Sequence, residues 1–416
     1  MKYKKINLDN YDIYYIKTNK FKTIQLTTVL INDYKEEDIT KEKVITELLV
    51  STNKEYNSEV SMSKKIMELY EPRVDIIDVF NDKHIKILDT KFLNEKYTEP
   101  GMNKKTIDFY YSLYFNPNIK DGSFEKNNFD ININKIKSFI NLDKENPRMN
   151  AHSSMIKHIK EDVPFKIDDR IRLKYLKEIN NKNLYEYHKD RIKTSKVIVF
   201  LTGDINDEII NIIRSNLDSK VYKNEKSFKK EYDLLPVKKE REYIKTNKSN
   251  QSILYLIYKM HNLTDRERNI VLPIFNDILG GNSSKLFNNV REKNSLAYYA
   301  YSSYTTFSGI LYLYAGITND NYKKTVKIMK EQVNDMIKGN ITNTELNNSI
   351  ESLCSSIYER EDKIASINQN LSYHILYDII MMDELVDKYK SVTKEELIEL
   401  GSKLELDFVF LLKGDN

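Results

Sequence analysis

The sequence predicts an α+β fold made twice in tandem, each copy a mainly antiparallel sheet packed with helices. Three observations predict it. Alternating apolar segments open each half, and long amphipathic stretches follow them. Nearly the same phrase then closes both halves: Val199-Phe200-Leu201-Thr202-Gly203-Asp204 in the first, Val409-Phe410-Leu411-Leu412-Lys413-Gly414-Asp415 in the second. At 416 residues the chain is long enough for two cores. Two copies are too few for a solenoid, so each must bury its own apolar face.

Taken in order, residues 21–32 read as a strand, with Ile24, Leu26 and Thr28 alternating against Gln25, Thr27 and Val29. Residues 40–49 and 61–69 read as short amphipathic helices, the second capped by Ser61 or Ser63. Residues 134–159 read as a longer helical region interrupted near Pro147. The charged stretch 217–240, whose apolar content ends at Leu234-Leu235-Pro236, reads as a linker. That places one domain at 1–216 and a second at 241–416. The second opens with a strand at 251–262. A turn at Gly280-Gly281-Asn282 leads into a helix at 285–293 capped by Ser283 or Ser284, then strands at 296–307 and 310–315 joined by Ser308-Gly309. Helices at 321–337 and 343–358 follow, with Gly339 at the position just past the first.

Composition narrows the class. Hydrophobic residues make up 40% and charged residues 31% of the chain, a soluble folded profile. The net charge of +4 comes from near-balanced totals, and runs such as Lys238-Lys239-Glu240-Arg241-Glu242 mix both signs. That argues for solvated faces and against nucleic acid. No apolar run approaches a membrane span, and no apolar core follows the basic residues 2–5, which argues against a membrane and a signal peptide. The single cysteine, Cys354, fits a reducing, cytoplasmic setting and reads as a small packed hydrophobe.

The segment 279–316 carries the most chemical information. Arg291-Glu292-Lys293-Asn294-Ser295-Leu296-Ala297-Tyr298 puts an Arg at a helix end and a Tyr at the start of the next strand. By themselves these are ordinary: a helix-end Arg satisfies terminal carbonyls and a strand Tyr packs. Together with the Gly-Gly turn, the capped helix and the hairpin, they resemble the second domain of the insulinase-type (pitrilysin-like) peptidases. The resemblance covers essentially the whole chain and implies half of a metallopeptidase clamshell. It implies that Arg291 and Tyr298 bind substrate: a guanidinium offers several donors to a peptide carbonyl or carboxylate, and a phenol donates to an oxygen gaining charge. The tyrosines at 299, 301, 304, 312 and 314 could line a peptide groove, but their spacing favours a half-buried sheet face.

The family's zinc motif, His-x-x-Glu-His, aligns with Lys43-Val44-Ile45-Thr46-Glu47. Lysine is no zinc ligand and threonine no general base, and no His lies between Met1 and Lys83. Of the six histidines, only His152 and His158 are close in sequence, and six residues of helix turn them about 120° apart. No catalytic residue and no metal ligand are therefore expected in this chain, and it is not expected to hydrolyse peptides alone. The resemblance implies a non-catalytic subunit of a heterodimer, holding an extended peptide for a zinc-bearing paralogue. Its softer features (Phe21-Lys22-Thr23, the missing zinc helix, residues 408–414) are similar to a zinc-motif-less bacterial group associated with 5-aminopentanol modification of elongation factor P. Two other readings stand beside it: a metal-free peptide- or protein-binding scaffold in a modification pathway, and a stand-alone peptidase with a metal at His152, His158 and Glu161.

Overall fold

The computed structural model describes residues 2–229, 232–249 and 251–415. The expected linker includes positions 230 and 231, which lie outside them. The strands are β1 (Lys4–Asn7), β2 (Tyr11–Lys17), β3 (Thr23–Asn32), β4 (Arg73–Phe80), β5 (His84–Leu93), a small hairpin β6 (Ile119–Lys120) and β7 (Ser123–Phe124), β8 (Lys196–Gly203), β9 (Arg241–Thr246), β10 (Ser252–Met260), β11 (Ala297–Thr305), β12 (Ile310–Ile317) and β13 (Leu404–Lys413). They form a six-stranded sheet, β1-β2-β8-β3-β5-β4, and a five-stranded one, β11-β12-β10-β13-β9.

The duplication is visible in the pairing. β4, β5, β3 and β8 join antiparallel and β2 adds parallel to β8. In the same sequence of neighbours β11, β12, β10 and β13 join antiparallel and β9 adds parallel to β13. The two repeated phrases are β8 and β13, which hold matching interior places. Both are buried on both faces, which is why they read as continuous apolar runs.

Each sheet belongs to a compact unit, and each unit takes in a segment from the far side of the sequence. The first comprises 1–142, 169–228 and 360–378; the second comprises 143–168, 229–359 and 379–416. In the first unit, Ile24, Leu26 and Leu30 pack on one sheet face with Val44, Leu48, Tyr110, Tyr114 and Ile213. The helix Ile364–Tyr377 lies against the same sheet, where Asn368 accepts from Thr202 Oγ1 (2.9 Å) and donates to Thr27 Oγ1 (2.8 Å). In the second unit the helix Pro147–Met155 and the turns after it cover Ile253, Tyr255, Ile257, Phe408 and Phe410. The sequence predicts one broken helix over 134–159; Pro147 divides it into Lys126–Glu145 and this covering segment.

That segment is anchored by charge as well as by apolar contact. Glu161 and Lys259, both nearly inaccessible, form an ion pair, and Lys259 also lies 3.4 Å from Asp407, which takes a two-pronged bond from Arg241 (2.6 and 2.6 Å). Glu161→Ala leaves Lys259 with Asp407 and the Leu235 carbonyl (3.0 Å). It should cost about 1.5–3 kcal/mol, the range for a hydrogen bond to a charged group, because Lys259 keeps its other partners. Chemical denaturation of the variant measures this; an unchanged midpoint would mean that apolar packing alone holds the segment.

Local boundaries depart from expectation where capping chemistry decides. The helix expected at 61–69 runs Glu59–Glu68, because Ser58 is the cap: its hydroxyl accepts from the Ser61 N–H while Ser61 reaches back to the Ser58 N–H. The helix expected at 40–49 runs Glu36–Ser51. Gly339 sits just past Tyr322–Ile337 with φ +73°, as its position implied. Among the described residues no helix is long and apolar enough to cross a membrane.

Candidate functional site

The connector from Arg291 to Tyr298 is held by three local devices. Ser284 accepts from the Phe287 N–H (3.2 Å) and starts the helix, as the sequence suggested. Leu286 and Val290 are fully buried, so this helix has one fixed face. Its last turn, Phe287–Glu292, is widened to π geometry: the Lys293 N–H reaches back five residues to the Asn288 carbonyl (2.9 Å). Such turns rotate the following side chains relative to an α-helix and recur at functional sites. Ser295 then adopts φ +49°, a left-handed conformation that costs a non-glycine residue about 1 kcal/mol or more.

The third device is a β-bulge. Ala297 lies opposite Ile317 and Tyr299 opposite Gly316, so Tyr298 is the extra residue without a ladder partner. Bulges re-aim a side chain, and Tyr298 is 67% exposed, the most exposed large hydrophobic side chain among the described residues. Arg291 is exposed as well; its guanidinium lies 5.0 Å from the Phe287 ring centre and 3.6 Å from Glu292, with no buried partner. The two expected substrate-binding residues thus sit at the two ends of one connector, both turned to solvent. The connector is tied down by Gly280, which lies so close to β11 that any Cβ there would come within 2.1 Å of the Ser302 nitrogen. The tyrosine expectation holds in part: Tyr299, Tyr301, Tyr312 and Tyr314 share a half-buried face with mutual ring distances of 6.0–6.4 Å. Tyr304 belongs to the opposite face.

The segment aligned with the zinc motif lies within the helix Glu36–Ser51. Lys43 pairs with Asp169 (3.0 Å). Thr46, at the general-base position, donates to Asp78 (2.6 Å) and accepts from Lys86 (2.7 Å). Neither side chain can ligate zinc or activate water, so these residues do not fit the metal. Beneath them lies a buried cluster that the sequence reading did not find. Lys86 Nζ is 2.7 Å from Asp78 and 3.3 Å from Glu42; His84 Nε2 is 2.7 Å from Asp78; Arg191 Nε is 3.0 Å from Glu42. Glu42, Asp78 and His84 are the one set of described side chains grouped as metal ligands would be. The Lys86 ammonium already lies among their oxygens, and the Arg191 guanidinium adds a second positive charge, so this set is filled without an ion. The missed signal was the spacing of Glu42 and Thr46, one turn apart on the inner helix face, opposite an unexpected Lys within a buried strand.

The cluster sets an acid limit on stability. Burial by itself would raise the carboxyls of Glu42 and Asp78, but His84 and Lys86 outweigh it and hold both below their ordinary values. His188 is fully buried; burial lowers it from 6.5 to about 4, although its Nε2 bonds the Tyr114 carbonyl (2.9 Å). All three groups have depressed folded-state values, so each contributes stability at neutral pH that is lost as pH falls. His188 acts first: its contribution, about 3 kcal/mol, declines between pH 6.5 and about 4. The carboxylates follow below about pH 4.5. Melting temperature against pH should therefore fall in two stages, and His188→Gln should flatten the upper one. A curve flat from pH 7 to 4 in the unaltered chain contradicts this assignment.

His152 and His158 do not assemble a metal site among the described residues. His158 stacks on Tyr243 at 3.8 Å, and Glu161 is engaged by Lys259. Cys354 is buried, as expected of a packed side chain.

Comparisons with known proteins agree with the resemblance read from the sequence. Residues 178–353 match the family described as "Peptidase M16 inactive domain". The chain is 24% identical over 413 residues to the "Probable inactive metalloprotease YmfF" of Bacillus subtilis (strain 168), covering 96% of this chain and 95% of that one. Its fold is that of a conserved protein from Enterococcus faecalis V583 (TM-score 0.90, 24% identity, 99% of both chains). It also matches the ferredoxin protease FusC, solved as a mutant in complex with Arabidopsis ferredoxin (TM-score 0.74, 13% identity); there the match covers 100% of this chain but 45% of that one.

Proposed function

For this insulinase-type chain without a zinc motif, we propose the role of a non-catalytic subunit that holds extended peptide for a zinc-bearing paralogue. The observation that carries the proposal is the contrast between two segments of one chain. At 43–47 the Lys43 and Thr46 side chains are taken up by internal bonds to Asp169, Asp78 and Lys86. At 291–298 a π-turn, a left-handed serine and a bulge hold Arg291 and Tyr298 out to solvent, Arg291 touching only its neighbours Phe287 and Glu292. Backbone strain of this kind persists where the surrounding structure over-determines it, typically at ligand sites. A guanidinium and a phenol at the end of an edge strand suit a peptide lying along that edge, where main-chain pairing gives affinity with little sequence demand. The FusC chain is about twice as long as this one, which supports a second half supplied here by another polypeptide. Zinc then belongs to the partner, and the site works in the reducing, cytoplasmic setting that one buried cysteine permits.

Affinity purification of the tagged chain from its native cell tests the partnership. The expected result is stoichiometric recovery of a paralogue bearing His-x-x-Glu-His. Recovery of the chain alone, or only as a self-dimer, overturns it.

The end-to-end match to a relative named as probably inactive favours a second reading, a metal-free scaffold gripping a client in a protein-modification pathway. The resemblance to the group associated with elongation factor P points the same way. A client bound without any zinc-bearing paralogue distinguishes it.

A further inference from the structure

Strand β11 lies at the edge of its sheet, so one side of its backbone is unpaired. Tyr299, immediately after the bulge, lays its ring across Gly316, where any Cβ would come within 2.4 Å of that ring. Glycine at 316 therefore leaves the room that the ring occupies. The Tyr299 hydroxyl is sheltered from solvent, and among the described residues its proton has no acceptor; Arg148 beside it is itself only a donor. Burial raises this phenol above its ordinary value, opposed by the nearby Arg148 guanidinium. That guanidinium lies 4.4 Å from the Tyr299 ring centre. Asn146 caps the backbone N–H groups of Arg148 and Met149 (3.0 and 3.3 Å), which sets where this side chain departs from the helix Pro147–Met155. Arg148 is exposed, and among the described residues no carboxylate pairs with it. Tyr301 and Tyr314 continue the aromatic surface beside it.

The guanidinium thus lies against the ring of a sheltered phenol, and among the described residues no acceptor serves that phenol's proton. A sheltered donor without an acceptor costs about 1–3 kcal/mol, and a carboxylate can accept from both groups at once. A peptide paired with the β11 edge presents every second side chain to this face of the sheet.

We propose that Arg148 and Tyr299 form a subsite for a carboxylate carried by an extended peptide, either an acidic side chain or a terminal carboxylate. The inference rests on the peptide-holding reading above and adds a charge preference to it. A merely structural stacking of Arg148 on Tyr299 gives no such preference.

Fluorescence anisotropy of the full chain with labelled ten-residue peptides tests it. A neutral host carries one Glu scanned along its length, with Gln at the same place as control, and each peptide is made with a free and an amidated C-terminus. The expected result is roughly tenfold tighter binding of a carboxylate-bearing peptide. Arg148→Ala and Tyr299→Phe should each remove that preference and leave the amidated neutral peptide unchanged. A Glu-over-Gln difference that survives amidation assigns a side-chain source, and a free-over-amide difference assigns a terminal one. Equal binding of all peptides overturns the subsite while leaving the peptide-holding role intact, as does a preference that survives both substitutions. Failure of every peptide to bind overturns that role and the subsite with it.

Discussion

In a complex with a zinc-bearing paralogue, Arg291→Ala and Tyr298→Phe should each lower peptide turnover by about a hundredfold without dissociating the subunits. The size follows from what each group offers. A preorganised donor aimed at an oxygen that gains charge is worth about 10²–10³ in rate, and both side chains lack a buried internal partner to lose. Tyr298→Phe removes one hydroxyl and keeps the ring, so the bulge and its packing persist. Because Tyr298 is largely exposed, neither folding nor assembly should respond. Steady-state kinetics on the purified complex, with gel filtration to confirm assembly, reads the result. Lys293→Ala, an exposed neighbour whose ammonium bonds the Asn289 side chain (3.1 Å) and whose backbone bond the substitution keeps, is the control and should retain full turnover. Equal losses in the control and the two variants would place the effect in the connector's shape.

The largest stability effect should come from Lys86→Ala. Its ammonium is bonded to Asp78, Glu42 and Thr46 in a place almost without solvent. Removing it leaves the two buried carboxylates with His84, Arg191 and the hydroxyls of Thr46 and Tyr187, and takes away the one cation shared by both. Breaking a buried ion pair by deleting one member costs about 3–5 kcal/mol, because the surviving charge has neither partner nor water. Set against a typical folding stability of about 5–15 kcal/mol, that is a large share. Denaturant unfolding of the variant measures it. Lys104→Ala, which loses only an exposed pair with Asp108, should cost a few tenths of a kcal/mol at most. If Lys86→Met is equally destabilising, the lost charge and not the lost volume accounts for the effect. If Lys86→Ala were tolerated, the cluster would be open to water.

How much of this was legible in the sequence depended on whether a signal was local. The closing phrases at 199–204 and 409–415 announced β8 and β13 because a strand buried on both faces is written as an unbroken apolar run. The absence of a His-x-x-Glu-His motif was equally plain, since metal ligation depends on residue type at fixed helical spacing. Arg291 and Tyr298 could be named from their context, but nothing local announces a π-turn or a bulge. Tyr298 became an unpaired residue only through the register of β11 on β12, which a single strand's alternation does not encode. The segments 143–168 and 360–378 were unreadable as members of the opposite units for the same reason: an amphipathic helix states that it covers a sheet, never which one. Nothing local sets Lys86 apart from the chain's other lysines. Only the tertiary fold brings Glu42 from a helix and Asp78 from the neighbouring strand to either side of it.

One measurement tests the central claim most directly: zinc content and peptide turnover for this chain alone, the zinc-bearing paralogue alone, and the two mixed. The account expects no zinc and no turnover from this chain, zinc in the paralogue, and full turnover only in the mixture. Stoichiometric zinc or turnover in this chain alone, or undiminished turnover by the paralogue without it, would contradict the account.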